Sequence, residues 1–421
     1  MRGEAKPHSE GRTWSVDPRD MSEALFESAD APERPELSVV ILAWKRRRFV
    51  RDAVRSAVAG PPPPGGREIL VVHNFDDPAL ERELAGEGIR MVTDPRSPVG
   101  ASVARGLEAA RGEVVAFLDD DDEFEPEKPA TVAAWFREDP ELALARNGYR
   151  PIDSYGRPVP GWPACEWPGT ALRAPVVLRT VAEKRGSRVL PMYNLSTISV
   201  RRSFLRPFLP AFEDVAAGSD SLVFLSALAS RGGIRVDPQV LSCHRIHHST
   251  SMETFGESGI RPPEDPSYFE RSLEALRRQE AIVRGTPAAA WARWLYAITR
   301  VDAYLSLPDA PAPSASEYFE FLKGTIRERQ RFRVPALAFT AARRFLPGVA
   351  FDRWWAYRRL QYRRDARGVD AAELFASEGA DDAGPRALWQ PAAHAFGSRR
   401  AHGHIAPANR PSATPPPEGS G

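Results

Sequence analysis

The sequence predicts an α/β fold built on a mixed, mostly parallel central sheet, with a helical region after it. Three observations carry this. Apolar runs rich in β-branched residues recur at 38–42, 69–72, 89–92 and 114–118, each the length of a buried strand. Residues 49–58 and 102–111 interrupt them with apolar side chains at helical spacing, which is how strand–helix–strand crossovers of a parallel sheet read. Four aspartates, 119–122, then follow the last strand run directly, and ligands of open α/β sheets bind outside the carboxyl ends of the strands.

Structure is expected to begin near Leu37, because residues 1–36 are polar, Pro-containing and without the apolar core of a signal peptide. Val50, Ala53, Val54, Ala57 and Val58 give the first helix its apolar side, and the Pro/Gly run 61–66 ends it. Gly112 stops the helix before the acidic strand. Pro126 suits the first turn of a helix reaching about 138. Residues 141–153 read as extended, 195–200 as a strand, 219–230 as a helix and 234–247 as extended again; 161–190 carry no clear pattern. Together 37–255 form one α/β domain. Beyond Pro262 the chain is helical, at 268–283 and 287–305, with Thr286 as an N-cap. This helical region is set at 262–375, and 376–421 are Gly/Ala/Pro-rich and expected to be disordered.

Composition excludes several classes. Hydrophobic residues at 42% and charged residues at 27% are those of a globular chain, and a net charge of +1 gives no reason to expect nucleic acid. Cys165 and Cys243 make neither a disulfide scaffold nor a metal-finger spacing, which fits a reducing cytoplasm. No run of 18 uncharged apolar residues occurs, and the nearest, 334–349, contains Arg343 and Arg344.

Four adjacent carboxylates repel: one pair ~4 Å apart costs about 4 kcal/mol at an effective dielectric of 20. A divalent cation removes that cost, and Mg²⁺ commonly uses one or two carboxylates plus substrate phosphates. Asp119, Asp120, Asp121 and Asp122 therefore suggest a metal–diphosphate site, the other reading being a solvated turn that starts the next helix.

Residues 37–252 together resemble the family 2 glycosyltransferases of the GT-A (nucleotide-diphospho-sugar transferase) fold. The motifs carrying the resemblance are the strand and turn 38–46, the strand and acidic turn 69–77, Ala104-Arg105 with Gly106-Leu107 and Gly112, Phe117-Leu118 with the aspartates and Lys128, the segment 149–156, the block from Val200 to Asp220, and Arg245-Ile246-His247. The resemblance implies an inverting transferase that moves a sugar from a nucleoside-diphosphate donor, UDP-sugar by default, to a hydroxyl of a glycan or lipid-linked acceptor. It implies nucleotide-sugar contacts at Ala43, Trp44, Arg46, His73, Asn74, Asp76, Arg105, Asp119, Asp120 and Arg245. His73 stands where the family often has an aspartate. It implies Mn²⁺ or Mg²⁺ held by Asp119 and Asp121 of the DXD motif, with His247 as a third ligand. It makes Asp220, at a helix N-terminus that favours its ionised form, the catalytic base; otherwise Asp220 simply starts that helix. Arg201 and Arg202 are weaker phosphate candidates.

Two alternatives stay open. A catalytically silent GT-A-like nucleotide- or partner-binding protein is suggested by His73 and by the incomplete Ala-Arg-Asn run at 104–106. A sugar nucleotidyltransferase would need a Gly-rich loop after the first strand, where this chain has Ala43-Trp44-Lys45-Arg46. Between Lys323 and Arg367 thirteen Lys/Arg face three acids, a balance of +10, with eight aromatics interleaved from Phe332 to Tyr362. That region is read either as a packed helical subdomain or as a surface for peripheral contact with anionic lipid.

Overall fold

A computed structural model describes residues 34–44, 47–95, 98–159, 170–173, 192, 194–246, 254–256, 259–261, 267–286, 288–327 and 333–365. Of the segments expected to be disordered, 1–36 and 376–421, residues 1–33 and all of 376–421 lie outside them, as do the site candidates Arg46 and His247.

The first half alternates strand and helix: β1 Leu37–Ala43, α1 Val50–Val58, β2 Arg67–His73, α2 Pro78–Gly86, β3 Arg90–Thr93, α3 Val99–Ala109 and β4 Val114–Asp119. Helix α2 has no counterpart in the sequence reading, although Asp77 caps it by accepting the Leu80 N–H and Pro78 stands in its first turn. After the acidic turn come β5 Glu123–Phe124, α4 Lys128–Glu138, β6 Leu142–Ile152, β7 Thr170–Arg173 and β8 Ile198–Arg201. Two short helices, α5 Arg202–Leu205 and α6 Leu209–Phe212, lead to α7 Ser219–Ala229 and β9 Gly233–Arg245. A small hairpin, β10 Thr254–Gly256 with β11 Gly259–Arg261, precedes the helices α8 Ser267–Ile282, α9 Ala289–Ser306, α10 Ala315–Arg327, α11 Val334–Phe345 and α12 Pro347–Asp365.

The strands lie in the order β3-β2-β1-β4-β8-β6-β9-β5, with β7 beside β9. From β3 to β4 all pairs are parallel; β8 is antiparallel to both β4 and β6, while β6 and β9 run parallel. Strand β1 is buried along its whole length, as a strand covered on both faces must be. Its side chains alternate between two cores. Val40 and Leu42 pack with Val103 and Leu107 of α3 and with α7. Val39 and Ile41 pack with Val50 and Val54 of α1 and Val132 and Phe136 of α4.

The first of those cores does not stop at the sheet. It continues through α7 into Trp291, Trp294, Phe321, Trp354 and Trp355, and the rings of Phe224 and Trp291 are 6.1 Å apart. Gly324 permits a close approach within this core: a Cβ there would stand 2.0 Å from the Trp294 ring. No helix of the described residues is long and apolar enough to cross a membrane.

Candidate functional site

Parallel pairing puts the carboxyl ends of β1 to β4 at one edge. In register, Leu42 stands beside Asp119, Ala43 beside His73, and His73 beside Thr93. The acidic turn is tight: the Asp120 N–H donates to Leu42 O at 3.2 Å and the Asp122 N–H to Asp119 O at 3.2 Å.

The four aspartates are not equivalent. Asp122 is buried and turned back into the protein, accepting the Arg245 N–H at 2.9 Å and facing His244 Nδ1 at 3.1 Å. Burial alone would lower the His244 pKa, but Asp122 outweighs it and raises it. Asp120 is buried, whereas Asp119 and Asp121 are half-buried at the rim. The Asp119 carboxyl is held well above the usual carboxylate range, first by burial, then by Asp122, Asp121, Asp120 and Asp220. Asp220, a hundred residues along the chain, thus lies within electrostatic reach of Asp119.

Asp220 occupies the first turn of α7. Gly218, with φ of +70°, precedes that turn and supplies the left-handed backbone that admits the helix at this angle. The Asp220 carboxylate accepts the N–H of Ser221 at 2.7 Å and of Asn194 at 3.3 Å. Its pKa is nevertheless raised, because burial outweighs those bonds and the nearby Arg146 charge.

One short turn joins the two aspartates. Asn194, itself at φ +70°, accepts the Ser196 N–H on its Oδ1 at 2.8 Å. Ser196 Oγ in turn accepts the Asp119 N–H at 3.0 Å. Beneath the turn, Lys128 is fully buried: its Nζ donates to Ser196 O and to Ser242 Oγ (3.0 Å), and lies 4.0 Å from the centre of the Phe124 ring. Burial pushes this ammonium well below its ordinary pKa. Asn194, Ser196 and Arg146 escaped the sequence reading. An Asn two residues before a Ser is a signal for an Asx-turn, but nothing local says that the turn sits under Asp119.

The remaining candidates divide. Ala43 is buried at the strand edge and Trp44 beyond it is exposed. Asn74 is half-buried, Asp76 is exposed, and Arg105 is exposed on α3. His73 is buried at the end of β2. Its Nδ1 donates to Phe75 O at 2.9 Å and its Nε2 is 3.7 Å from Glu81 Oε1.

Arg245 is the clearest departure from expectation. Its guanidinium is buried behind the acidic turn, donating to Asp121 O at 2.7 Å, to Asp153 O at 3.0 Å and to the Glu123 carboxylate, and stacking 4.5 Å over the Phe49 ring. It therefore holds the turn in shape instead of reaching for phosphate. Arg201 and Arg202 stand at the far end of β4, Arg201 opposite Val114, and donate to backbone carbonyls there.

Among the described residues no three His, Cys, Asp or Glu side chains converge into a complete metal cage. The donor set that fits is smaller: two rim carboxylates with the remaining positions left to phosphate and water, which is how Mg²⁺ is commonly bound. The raised Asp119 carboxyl marks a place where added positive charge is favourable.

The mixed, mostly parallel sheet thus brings the carboxylates of Asp119–Asp122 and of Asp220 to one end of its strands. Residues 38–194, a little over a third of the chain, match the model of glycosyl transferase family 2. Similar solved structures include S. aureus TarS 1-349 in complex with UDP, at 15% identity and a TM-score of 0.45, over 70% of this chain and 89% of that one. The same protein in complex with UDP-GlcNAc matches at 14% identity and 0.44, over 75% of this chain and 89% of that one. S. aureus TarS itself matches at 15% and 0.43, over 75% of this chain and 54% of that one. No curated protein sequence matches.

Proposed function

We propose that this chain is an inverting, metal-dependent glycosyltransferase of polysaccharide biosynthesis. It would take a nucleoside-diphosphate sugar, UDP-sugar by default, and transfer the sugar to a hydroxyl of a glycan or lipid-linked acceptor. The observation that carries this reading is the nearness of Asp119 and Asp220, joined through Asn194 and Ser196. Asp119 and Asp121 are assigned as the carboxylates that hold Mn²⁺ or Mg²⁺. His247 remains a candidate third ligand, and Ala43, Trp44, Asn74 and Asp76 remain candidates for nucleotide contact. When bound, the cation offsets negative charge on the leaving diphosphate.

Asp220 is assigned as the base. It takes the proton from the acceptor hydroxyl as that oxygen bonds to the anomeric carbon. The bond from that carbon to the phosphate oxygen breaks in the same displacement, so the configuration inverts and the nucleoside diphosphate departs. Its raised pKa makes it a better proton acceptor than an ordinary carboxylate. Arg245 and Lys128 act earlier, by fixing the turn before any ligand arrives. A cytoplasmic enzyme with peripheral membrane contact through 323–367 completes the reading.

Calorimetric titration of UDP with and without Mn²⁺, followed by a donor-hydrolysis screen across nucleotide-sugars, tests it. Metal-dependent affinity with turnover of at least one donor is expected. Metal-dependent binding without turnover of any donor would favour the catalytically silent alternative.

A further inference from the structure

The aromatic, basic C-terminal helices are mostly packed inward, with Trp354 and Trp355 in the core. Phe319, Leu322 and Ile326 of α10 are exposed, and one corner goes further. Where α11 ends and α12 begins, six consecutive residues, 344–349, are exposed. Phe345 is 79% exposed, Leu346 59% and Val349 57%.

This corner is not a fraying end. Arg343, two residues before Phe345, turns inward and donates to Leu307 O at 2.7 Å and to Pro308 O, its guanidinium 4.5 Å from the Tyr304 ring. Ala350 on the other side is buried, and Trp354 Nε1 donates to Ser306 Oγ at 3.4 Å. The backbone bonds Leu346 N–H to Ala342 O and Ala350 N–H to Leu346 O close the junction at 2.8 and 2.9 Å. The protein thus holds Phe345, Leu346 and Val349 out in water from an anchored base, against the hydrophobic effect.

Its setting is cationic. Arg344 and Arg353 flank the apolar tip, are exposed, and form no ion pair among the described residues. The stretch from Lys323 to Arg367 carries a balance of +10. An apolar tip ringed by unpaired arginines complements a surface that is anionic outside and hydrocarbon within.

We propose that the α11–α12 corner seats this protein on an anionic lipid bilayer, with Phe345, Leu346 and Val349 entering the headgroup boundary and Arg344 and Arg353 meeting lipid phosphates. The proposal gives the peripheral contact suggested above its residues. It rests on that reading only for why a lipid-linked acceptor would be near, since bilayer binding is measured without turnover and stands or fails apart from it.

The full chain is floated with phosphatidylcholine vesicles, with and without phosphatidylglycerol. Binding is expected with phosphatidylglycerol and to weaken as salt rises. Phe345→Ser with Leu346→Ser, at exposed positions that leave melting unchanged, is expected to weaken it at least tenfold. Arg344→Glu with Arg353→Glu should abolish the preference for the anionic vesicles. Wild-type chain that binds neither vesicle, equal binding to both, or indifference to the Phe345/Leu346 change would overturn the proposal. So would light scattering in which that change dissolves a dimer, because the corner would then serve a second copy of the chain.

Discussion

Asn194 donates its backbone N–H to the Asp220 carboxylate at 3.3 Å from a left-handed conformation, φ +70°, that side chains other than glycine seldom adopt. Its Oδ1 meanwhile fixes Ser196, and Ser196 fixes Asp119. The backbone and the side chain of Asn194 can therefore be separated by substitution. Asn194→Gly keeps the backbone freedom and should melt within a few degrees of wild type. Asn194→Ala should lose about 1–2 kcal/mol, since alanine has neither the local bond nor tolerance for that φ. Thermal melting of the two variants checks this; equal losses would mean that the backbone conformation is not what matters.

Asp220→Asn is expected to bind UDP as wild type does but to lower kcat by ~10²–10⁴-fold, the usual contribution of a positioned base. Calorimetry and initial rates on the donor found by the screen separate the two effects. A rate within a few-fold of wild type would remove Asp220 from the chemistry.

Asp119→Asn should weaken Mn²⁺-dependent UDP affinity by at least tenfold, and chelation of metal from the wild-type chain should weaken UDP binding to the same degree. The fold should tolerate the change, because the contact anchoring position 119 is its backbone N–H to Ser196 Oγ, which asparagine retains. Titration in EDTA and in Mn²⁺ reads the difference.

Glu68 clasps the opposite ends of the strands. It accepts from Ser38 Oγ, from the Arg111 N–H and Nε, and from Arg90. Burial alone would raise its pKa, yet these bonds outweigh it and hold the carboxyl below its ordinary value. A carboxyl depressed in the folded state contributes stability above its unfolded pKa, near 4.3, and loses it as pH falls through the folded value. Glu68→Gln should therefore cost about 1–2 kcal/mol at pH 7, with the gap closing below about pH 4. Melting curves across that range would show a constant gap if the clasp were not ionic.

Cys243 is buried, its Sγ 3.1 Å from Glu125 Oε1, and burial followed by that carboxylate pushes the thiol up to about 12. In a Cys165→Ser background, native protein at pH 8 should leave a thiol reagent essentially unconsumed, and guanidinium should release the full titre. Prompt native reaction would show a thiol far more open than this.

What could be read from the chain was whatever is local. β1 and β4 announce themselves as contiguous β-branched runs, and the aspartates follow β4 without interruption, so the crevice was visible before any fold was known. α2 was not, because only Leu80 and Leu84 of its nine residues are buried and its apolar face is thin. The strand expected at 195–200 begins instead with a 3-10 turn, Leu195–Thr197, forced by the Asn194 side chain. Arg245 lies elsewhere than expected for a physical reason. An arginine after a strand looks like a phosphate reader, and its actual partners, Asp121 O and Asp153 O, lie 124 and 92 residues away in the chain. Arg146 and Asn194 matter through contacts of the same long-range kind.

The ring pair of Phe224 and Trp291 belongs to a core common to the sheet and the later helices. A chain cut before Ala289 would bare the outer side of α7 to water and should precipitate or melt early. Heat should accordingly undo sheet and helices in a single calorimetric event, so whatever loosens the distal helices also weakens the footing of Asp220.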